Sequence, residues 1–221
     1  MKGSAFVVVW EGTDGSGKTT LMKRVEHILK RRGFSVITHK TPGSSPSGKL
    51  AVSYGNRPNT SPLTRMLLFL ANTVDESSKM ARKIDQKTPH FLFIDRYHLC
   101  SLVYGLALLK HRRGLQDLPS INEMLRLVEN MGRHDYLPPD LYVIIDVGEE
   151  ERLKRLRGKR GKEKVLETDT AFQNIVREIY DQFAAANPHM VYKALNEANR
   201  LEELSQTLAE KLIELRSKAT H

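Results

Sequence analysis

The chain has 221 residues, of which 40% are hydrophobic and 28% charged, and this balance predicts one well-buried globular domain with room for a small appended lid. No apolar run approaches the length of a membrane span, the apolar stretch near the N-terminus is too short for a secretory signal, and the lone Cys100 excludes a disulfide framework or a cysteine-based metal cage, so we expect a cytoplasmic protein. The formal net charge of +9 calls for an anionic partner, which nucleic acid or a small phosphorylated molecule would satisfy equally well.

Short apolar runs alternate along the chain with helical patterns, which is typical of an α/β fold whose parallel sheet carries helices on both faces. We therefore predict a single domain over residues 1–221 with a five-stranded parallel sheet. The predicted strands are Ala5–Trp10, Phe34–Thr38, Phe91–Asp95, Leu141–Asp146 and His189–Ala194. The predicted helices are Gly17–Arg32, a long helix that starts at Ser61-Pro62 and has apolar residues on one face up to Val74, His98–Lys110, Ser120–Gly132, Glu149–Arg157, Thr168–Ala186 and Leu201–Arg216. Loops are expected at Pro42–Gly48, Tyr54–Asn59, Gly158–Gly161 and Asn196–Asn199.

The segment between the first predicted strand and the first predicted helix has the sequence of a phosphate-binding loop (P-loop). Its glycines allow a tight turn, and its backbone N–H groups converge on an anion at the positive end of the helix. Lys18 would reach the β- and γ-phosphates of a nucleotide, Thr19 would bind Mg²⁺, and Thr20 would extend the hydroxyl pair. An ordinary Gly-rich turn is the alternative. The residues predicted to bind ATP are Gly12, Thr13, Asp14, Gly15, Ser16, Gly17, Lys18, Thr19 and Thr20.

A second candidate site follows the strand Phe91–Asp95, at the edge of the sheet where ligands of open α/β folds bind. Asp95 stands where a P-loop enzyme has the aspartate that organises Mg²⁺. Arg96 carries a planar guanidinium that suits two-point contact with a phosphoryl group. An Asp-Arg ion pair that merely ends a strand is the alternative interpretation.

A strongly basic segment runs from Arg152 to Lys164, where eight of thirteen residues are Lys or Arg. Gly158 and Gly161 interrupt it, as a closing lid would require, and we predict a short basic lid over approximately residues 152–168. An arginine from such a lid can stabilise charge on a transferring phosphoryl group. A solvated helical face or a nucleic-acid-binding arm would have the same composition.

These motifs together resemble the thymidylate kinase family over essentially the whole chain. The matching segments are Glu11–Thr20, Thr41–Gly43, Leu67–Ala71, Asp95–Tyr97 with Ser101 and Tyr104, and Pro139–Leu141 followed by the strand to Asp146. The resemblance implies the P-loop NTPase fold, ATP and Mg²⁺ as cofactors, and phosphorylation of dTMP to dTDP by direct in-line transfer. It also implies a homodimer, for which the apolar helices at 61–74 and 98–110 could supply the surface.

The resemblance also assigns roles to single residues. Asp14 would help to organise Mg²⁺ and the monophosphate side of the site, and Asp95 and Arg96 would hold metal-bound water and the acceptor phosphate. Phe69 would stack on the acceptor base and Tyr104 would pack against its sugar. Because Gly15 stands where some members have a P-loop arginine, the catalytic arginine is expected in the lid. The candidates there are Arg152, Arg155, Arg157 and Arg160, with Arg157 and Arg160 closest to the glycines; the remaining expected acceptor-binding residues are Lys40, Pro42, Thr73 and Ser101.

Three departures from the family pattern bear on specificity. Lys40-Thr41-Pro42 replaces the usual Arg-Glu-Pro, so a point charge replaces a two-point donor. Thr73 stands where an arginine normally reads the thymine carbonyl, and Gly105 replaces a polar residue. We therefore hypothesise altered or relaxed base selectivity. A kinase for another nucleoside monophosphate, a deoxynucleoside kinase and, less in keeping with the motifs, a nucleotide-controlled nucleic-acid-binding protein remain as alternatives.

Overall fold

A computed structural model describes residues 5–158, 165–197 and 200–220. Its centre is a five-stranded sheet in which every neighbouring pair of strands is parallel, in the order β2-β3-β1-β4-β5. This confirms the predicted α/β class, and the first, second and fifth strands end one or two residues later than expected. The strands are β1 (Phe6–Gly12), β2 (Val36–Lys40), β3 (Phe91–Asp95), β4 (Leu141–Asp146) and β5 (Val191–Leu195).

The helices also follow the predicted order, with two additions, Pro46–Ser53 in the first half of the chain and the short Val165–Thr168 in the second. The segment Pro46–Ser53 is a helix, and its first three residues overlap the predicted loop Pro42–Gly48. The Ser45 side chain accepts a hydrogen bond from the Gly48 N–H, and Pro46 is favourable in the first turn. The helices are α1 (Lys18–Arg31), α2 (Pro46–Ser53), α3 (Pro62–Lys87), α4 (His98–Arg113), α5 (Ile121–Met131), α6 (Glu149–Arg157), α7 (Val165–Thr168), α8 (Thr170–Ala186) and α9 (Leu201–Thr220).

The sheet lies between two layers of helices. On one face, α3, α4, α5 and α8 pack against alternate strand residues such as Val7 and Val9. On the other face, α1 and α9 pack against the intervening residues, including Trp10 and Phe93, whose rings meet edge to face. All seven residues of β1 are buried, because helices cover the central strand from both sides. Among the described residues, none of the helices combines the length and the apolar character that a membrane span requires.

The topology places the functional edge at the carboxyl end of β1. The chain leaves this strand through α1 to reach β2 on one side, and β4 lies on the other side, so β1 is where the order of the strands reverses. The register sets Trp10 beside Asp95 and Gly12 beside Ile145. The P-loop and the Asp95-Arg96 pair therefore emerge next to each other.

Candidate active site

The P-loop joins β1 to α1 and has the backbone of an anion cradle. Gly15 and Gly17 have φ values of +87° and +82°, and the Ser16 N–H donates to the Thr13 carbonyl at 3.3 Å. A side chain at Gly17 would lie 2.3 Å from Nδ2 of Asn196, so glycine is required there. The hydroxyls of Thr13 and Ser16 are buried, and neither has a hydrogen-bond partner within the described parts of the chain. These two hydroxyls are therefore available to a ligand, and a nucleotide phosphate would supply the acceptor atoms that they lack.

Lys18, Thr19 and Asp95 meet at the start of α1. Nζ of Lys18 lies 3.9 Å from Oδ1 of Asp95, and the Thr19 hydroxyl donates to Oδ2 of Asp95 at 3.0 Å. Burial lowers the pKa of the Lys18 ammonium, and the positive charge of Arg96 lowers it further. The negative charge of Asp95 partly offsets this shift. A hydroxyl and a carboxylate side by side are the hard oxygen donors that suit Mg²⁺ shared with phosphates and water. Thr20 is exposed beyond them.

Arg96 lies between the P-loop and a neighbouring cavity. Its Nη2 donates to Oδ1 of Asp14 at 2.5 Å, and the Tyr104 hydroxyl donates to Oδ2 of the same carboxylate at 2.9 Å. Arg96 has a φ of +67°, which is rare for a residue with a side chain, and its carbonyl accepts from the Thr41 hydroxyl at 2.8 Å. This backbone conformation is held in place by its neighbours, as is often seen at functional sites.

The cavity next to Arg96, called here the acceptor cleft, has a volume of about 560 Å³. It takes in most of the residues that the resemblance assigned to the acceptor: Asp14, Pro42, Phe69, Arg96, Ser101 and Tyr104. Two further expected residues do not line it. Lys40 is exposed at the end of β2, and Thr73 is 2% exposed, with its hydroxyl donating to the Leu70 carbonyl of its own helix at 2.7 Å.

Gly105 does not leave a gap in the cleft wall. An ideal Cβ on Gly105 would lie 2.4 Å from Sδ of Met66, so the methionine already fills the space that a side chain would take. Met66 itself is buried in the core on that side of the sheet. The glycine therefore serves the close packing of α3 on α4.

Sequence reasoning missed four charged residues that line the cleft, Arg57, Arg65, Arg112 and Glu167, of which Arg65 on α3 contacts Phe69. Its guanidinium lies over the Phe69 ring, with the central carbon 4.7 Å from the ring centroid. The available signal was the four-residue spacing between Arg65 and Phe69, which puts both on one helix face. That spacing is common, and nothing in the sequence shows that the face lines a cleft.

Two arginines hold the described part of the predicted lid segment against the P-loop. Arg152 is fully buried; it pairs with Glu149 at 2.7 Å and donates to the carbonyls of Asp14 and Glu167 at 3.3 and 2.6 Å. Arg155 donates to the Ser16 carbonyl at 3.1 Å and to the Asn196 carbonyl at 3.0 Å. Arg157 is exposed at the end of α6. Arg160 lies outside the described residues.

Glu11, which begins the P-loop motif, is a buried carboxyl beneath the site. One of its oxygens accepts from the backbone N–H groups of Tyr97 and Cys100 at 3.0 and 3.3 Å, and the other from the Tyr180 hydroxyl at 2.8 Å. Burial raises its pKa to about 7, although Arg96 and these hydrogen bonds oppose the shift. An acidic residue inside an otherwise apolar strand was the sequence signal for this group.

Comparison with known proteins agrees with this geometry. Residues 10–208 match the family model described as thymidylate kinase. A thymidylate kinase of Chlamydia caviae is 28% identical over 202 residues, covering 90% of this chain and 92% of the relative. A thymidylate kinase of Caldanaerobacter subterraneus is 33% identical over 179 residues, which is 78% of each chain. A solved thymidylate kinase structure from Candida albicans superposes with a TM-score of 0.71 at 21% identity, covering 96% of this chain and 93% of that one, and so supports the fold.

Proposed function

Because the chain belongs to the thymidylate kinase family of nucleoside monophosphate kinases, we propose that it transfers the γ-phosphoryl group of ATP to dTMP, giving ADP and dTDP. The observation that carries the proposal is the position of the acceptor cleft. It adjoins the P-loop through Asp14 and Arg96 and has an aromatic side chain, Phe69, in its wall. A donor phosphate in the loop and an acceptor phosphate at Arg96 would then face each other.

The reaction needs positioning and charge neutralisation, without a covalent enzyme intermediate. An oxygen of the dTMP phosphate attacks the γ-phosphorus in line, the bond from that phosphorus to the β,γ-bridging oxygen breaks, and ADP leaves with the electron pair. Lys18 and the P-loop amides bear on the β- and γ-phosphates. Thr19 and Asp95 would hold Mg²⁺, which when bound neutralises charge on the phosphates.

On the acceptor side, Arg96 presents a guanidinium to the monophosphate and Asp14 fixes its orientation. Tyr104 packs against the sugar, Phe69 against the base, and Ser101 and Pro42 complete the wall. Lys40 does not line the cleft, so no role in acceptor binding is proposed for it. Of the lid arginines, Arg157 and Arg160 are the proposed catalytic pair, because Arg152 and Arg155 are engaged in holding the lid to the P-loop.

We also propose that the enzyme is a homodimer and that it works in the cytoplasm, where the free thiol of Cys100 in the acceptor cleft would stay reduced. Its partners are small nucleotides. The described cleft gives no support to nucleic-acid binding by the basic segment. Arg152 and Arg155 of that segment donate hydrogen bonds to the protein's own carbonyl groups.

The experiment that tests the function is ADP release from ATP-Mg²⁺ with dTMP, dUMP, dCMP, dGMP, dAMP and free thymidine as acceptors. We expect turnover with dTMP, and broad turnover among the other monophosphates would support relaxed base selectivity. Lys18→Ala should lower kcat by about 10²–10³-fold or more, since it removes a donor to the developing charge. The matched control is Lys23→Ala, an exposed lysine on the same helix, which should leave kcat unchanged.

Phosphorylation of thymidine with none of dTMP would identify a deoxynucleoside kinase instead. No ADP release with any of the acceptors would contradict the proposed function. Full activity of Lys18→Ala would contradict the assignment of the P-loop.

A further inference from the structure

A cation lies beside Phe69 in the wall of the acceptor cleft, but it is Arg65 and not a residue at position 73. Thr73 cannot reach a base, because its hydroxyl is buried and bonded within α3. Arg65, two helical turns earlier on the same helix, lines the cleft and lies over the ring of Phe69. The guanidinium lies over the Phe69 ring, so a base that stacks against the remaining exposed part of this ring would bring its edge to the Arg65 donors.

The hydrogen-bond donors of Arg65 are largely unused. In the described residues, Nε is buried without a partner, and Nη2 makes one long contact of 3.4 Å with Oδ1 of Asn56. Burial lowers the pKa of this guanidinium, which nevertheless stays charged throughout the physiological range. A desolvated cation with free donors gains from any acceptor atom that a ligand brings.

We propose that Arg65 reads the carbonyl edge of the acceptor base and thereby determines which bases the enzyme accepts. The proposal rests on the proposed function and deepens it. Arginine donates hydrogen bonds and accepts none. Thymine and uracil carry a carbonyl oxygen at C4 and guanine carries one at C6, so these bases satisfy it. Cytosine and adenine carry an amino group at the corresponding carbon, which leaves donors facing donors. Selectivity is then relaxed among the carbonyl bases and strict against the amino bases.

The test compares dTMP with dCMP in the wild type, Arg65→Ala, Arg65→Lys and the control Arg82→Ala, which removes an exposed arginine from the same helix. We expect the ratio of kcat/KM for dTMP over dCMP to fall about 10- to 100-fold in Arg65→Ala. Arg65→Lys keeps a donor and the apolar stem, so it should recover part of the ratio. Arg82→Ala should match the wild type. A dTMP:dCMP ratio unchanged in Arg65→Ala would overturn the proposal.

Calorimetric binding without ATP separates this proposal from the proposed function. Arg65→Ala should weaken the binding of dTMP about 10- to 100-fold and leave that of deoxyribose 5-phosphate, which has no base, unchanged. Equal weakening of both ligands would make Arg65 a phosphate ligand and overturn the proposal. A wild type that binds dTMP better than dCMP but transfers no phosphoryl group would contradict the proposed function while the Arg65 assignment stands. Circular dichroism of each variant checks that the fold is kept.

Discussion

Glu11 shows how a single buried group can make the stability of this protein depend on pH. Its side chain is 0% exposed, and its pKa is raised to about 7 from an ordinary value of 4.5. Between these two values the folded protein holds a proton that the unfolded chain has released. Stability from this group is therefore fully present below about pH 4.5 and is lost as the pH rises to about 7.

We predict that Glu11→Gln removes this loss. The amide oxygen can accept from the N–H groups of Tyr97 and Cys100, and the amide nitrogen can donate to Tyr180, so the hydrogen bonds of the neutral acid are kept. Urea unfolding at pH 5 and pH 8 should show the variant gaining on the wild type by up to about 3 kcal/mol at the higher pH.

His39 and His98 serve as the internal check on that experiment. Burial lowers the pKa of both from 6.5, so the stability that they contribute is present above pH 6.5 and is lost as the pH falls below it. This dependence is opposite in sign to that of Glu11 and is the same in the wild type and the variant. A difference between wild type and Glu11→Gln that is the same at pH 5 and pH 8 would contradict the raised pKa.

At the residue scale, the sequence predicts groups whose position follows from local structure. Lys18 and Thr19 are set by the P-loop, and Asp95 ends a strand whose apolar run is unambiguous, so their meeting could be foreseen. Arg65 and Thr73 could not be, because the direction of each side chain depends on how α3 is rotated against α4. Tertiary packing sets that rotation, and matching positions along the sequence does not reveal it.

At the scale of elements, α6 carries three arginines, and two of them, Arg152 and Arg157, have opposite environments. Arg152 is fully buried between Glu149 and the carbonyls of Asp14 and Glu167, whereas Arg157 is exposed at the end of the helix. The first joins this helix to the P-loop, and the side chain of the second is exposed to solvent. The same helix thus offers a matched pair of substitutions.

We predict that Arg152→Ala lowers the free energy of unfolding by about 3–5 kcal/mol, because it leaves buried hydrogen-bonding partners without their cation. Arg157→Ala should leave stability within about 0.5 kcal/mol and lower kcat at least 10-fold with little change in dTMP affinity. Urea unfolding and steady-state kinetics on both variants check this. An unchanged kcat in Arg157→Ala would leave the catalytic role to Arg160.

The elements themselves were mostly predictable, and the errors have physical causes. The sequence shows the apolar face of α3 only as far as Val74, whereas Met80 and Ile84 continue the buried face in the structure. The helix ends at Lys87, and Thr88 after it adopts a left-handed conformation. The short helix α2 was overlooked because Pro, Ser and Gly dominate its start, and those residues are as typical of loops as of a capped first turn.

At the scale of the whole molecule, the order and direction of the strands follow from the alternation of elements, whereas the use of the outer surface does not. The sequence left two apolar helices as candidates for a dimer interface. Most of α4 is buried in the core, including Leu102, Val103 and Leu106. On α3, by contrast, Leu63 and Leu67 are 49% and 54% exposed and stand four residues apart on one face.

We therefore predict that α3, and not α4, supplies the surface of the proposed homodimer. Wild-type protein should sediment at twice the 25.2 kDa chain mass, and Leu67→Glu should sediment as a monomer, since a symmetric interface would bring two buried charges together. Leu127→Glu is the matched control: Leu127 on α5 is 55% exposed, so the same charge there should leave the dimer intact. A dimer that survives Leu67→Glu would move the interface away from α3, and a wild type that sediments at the chain mass would show that these leucines merely face water.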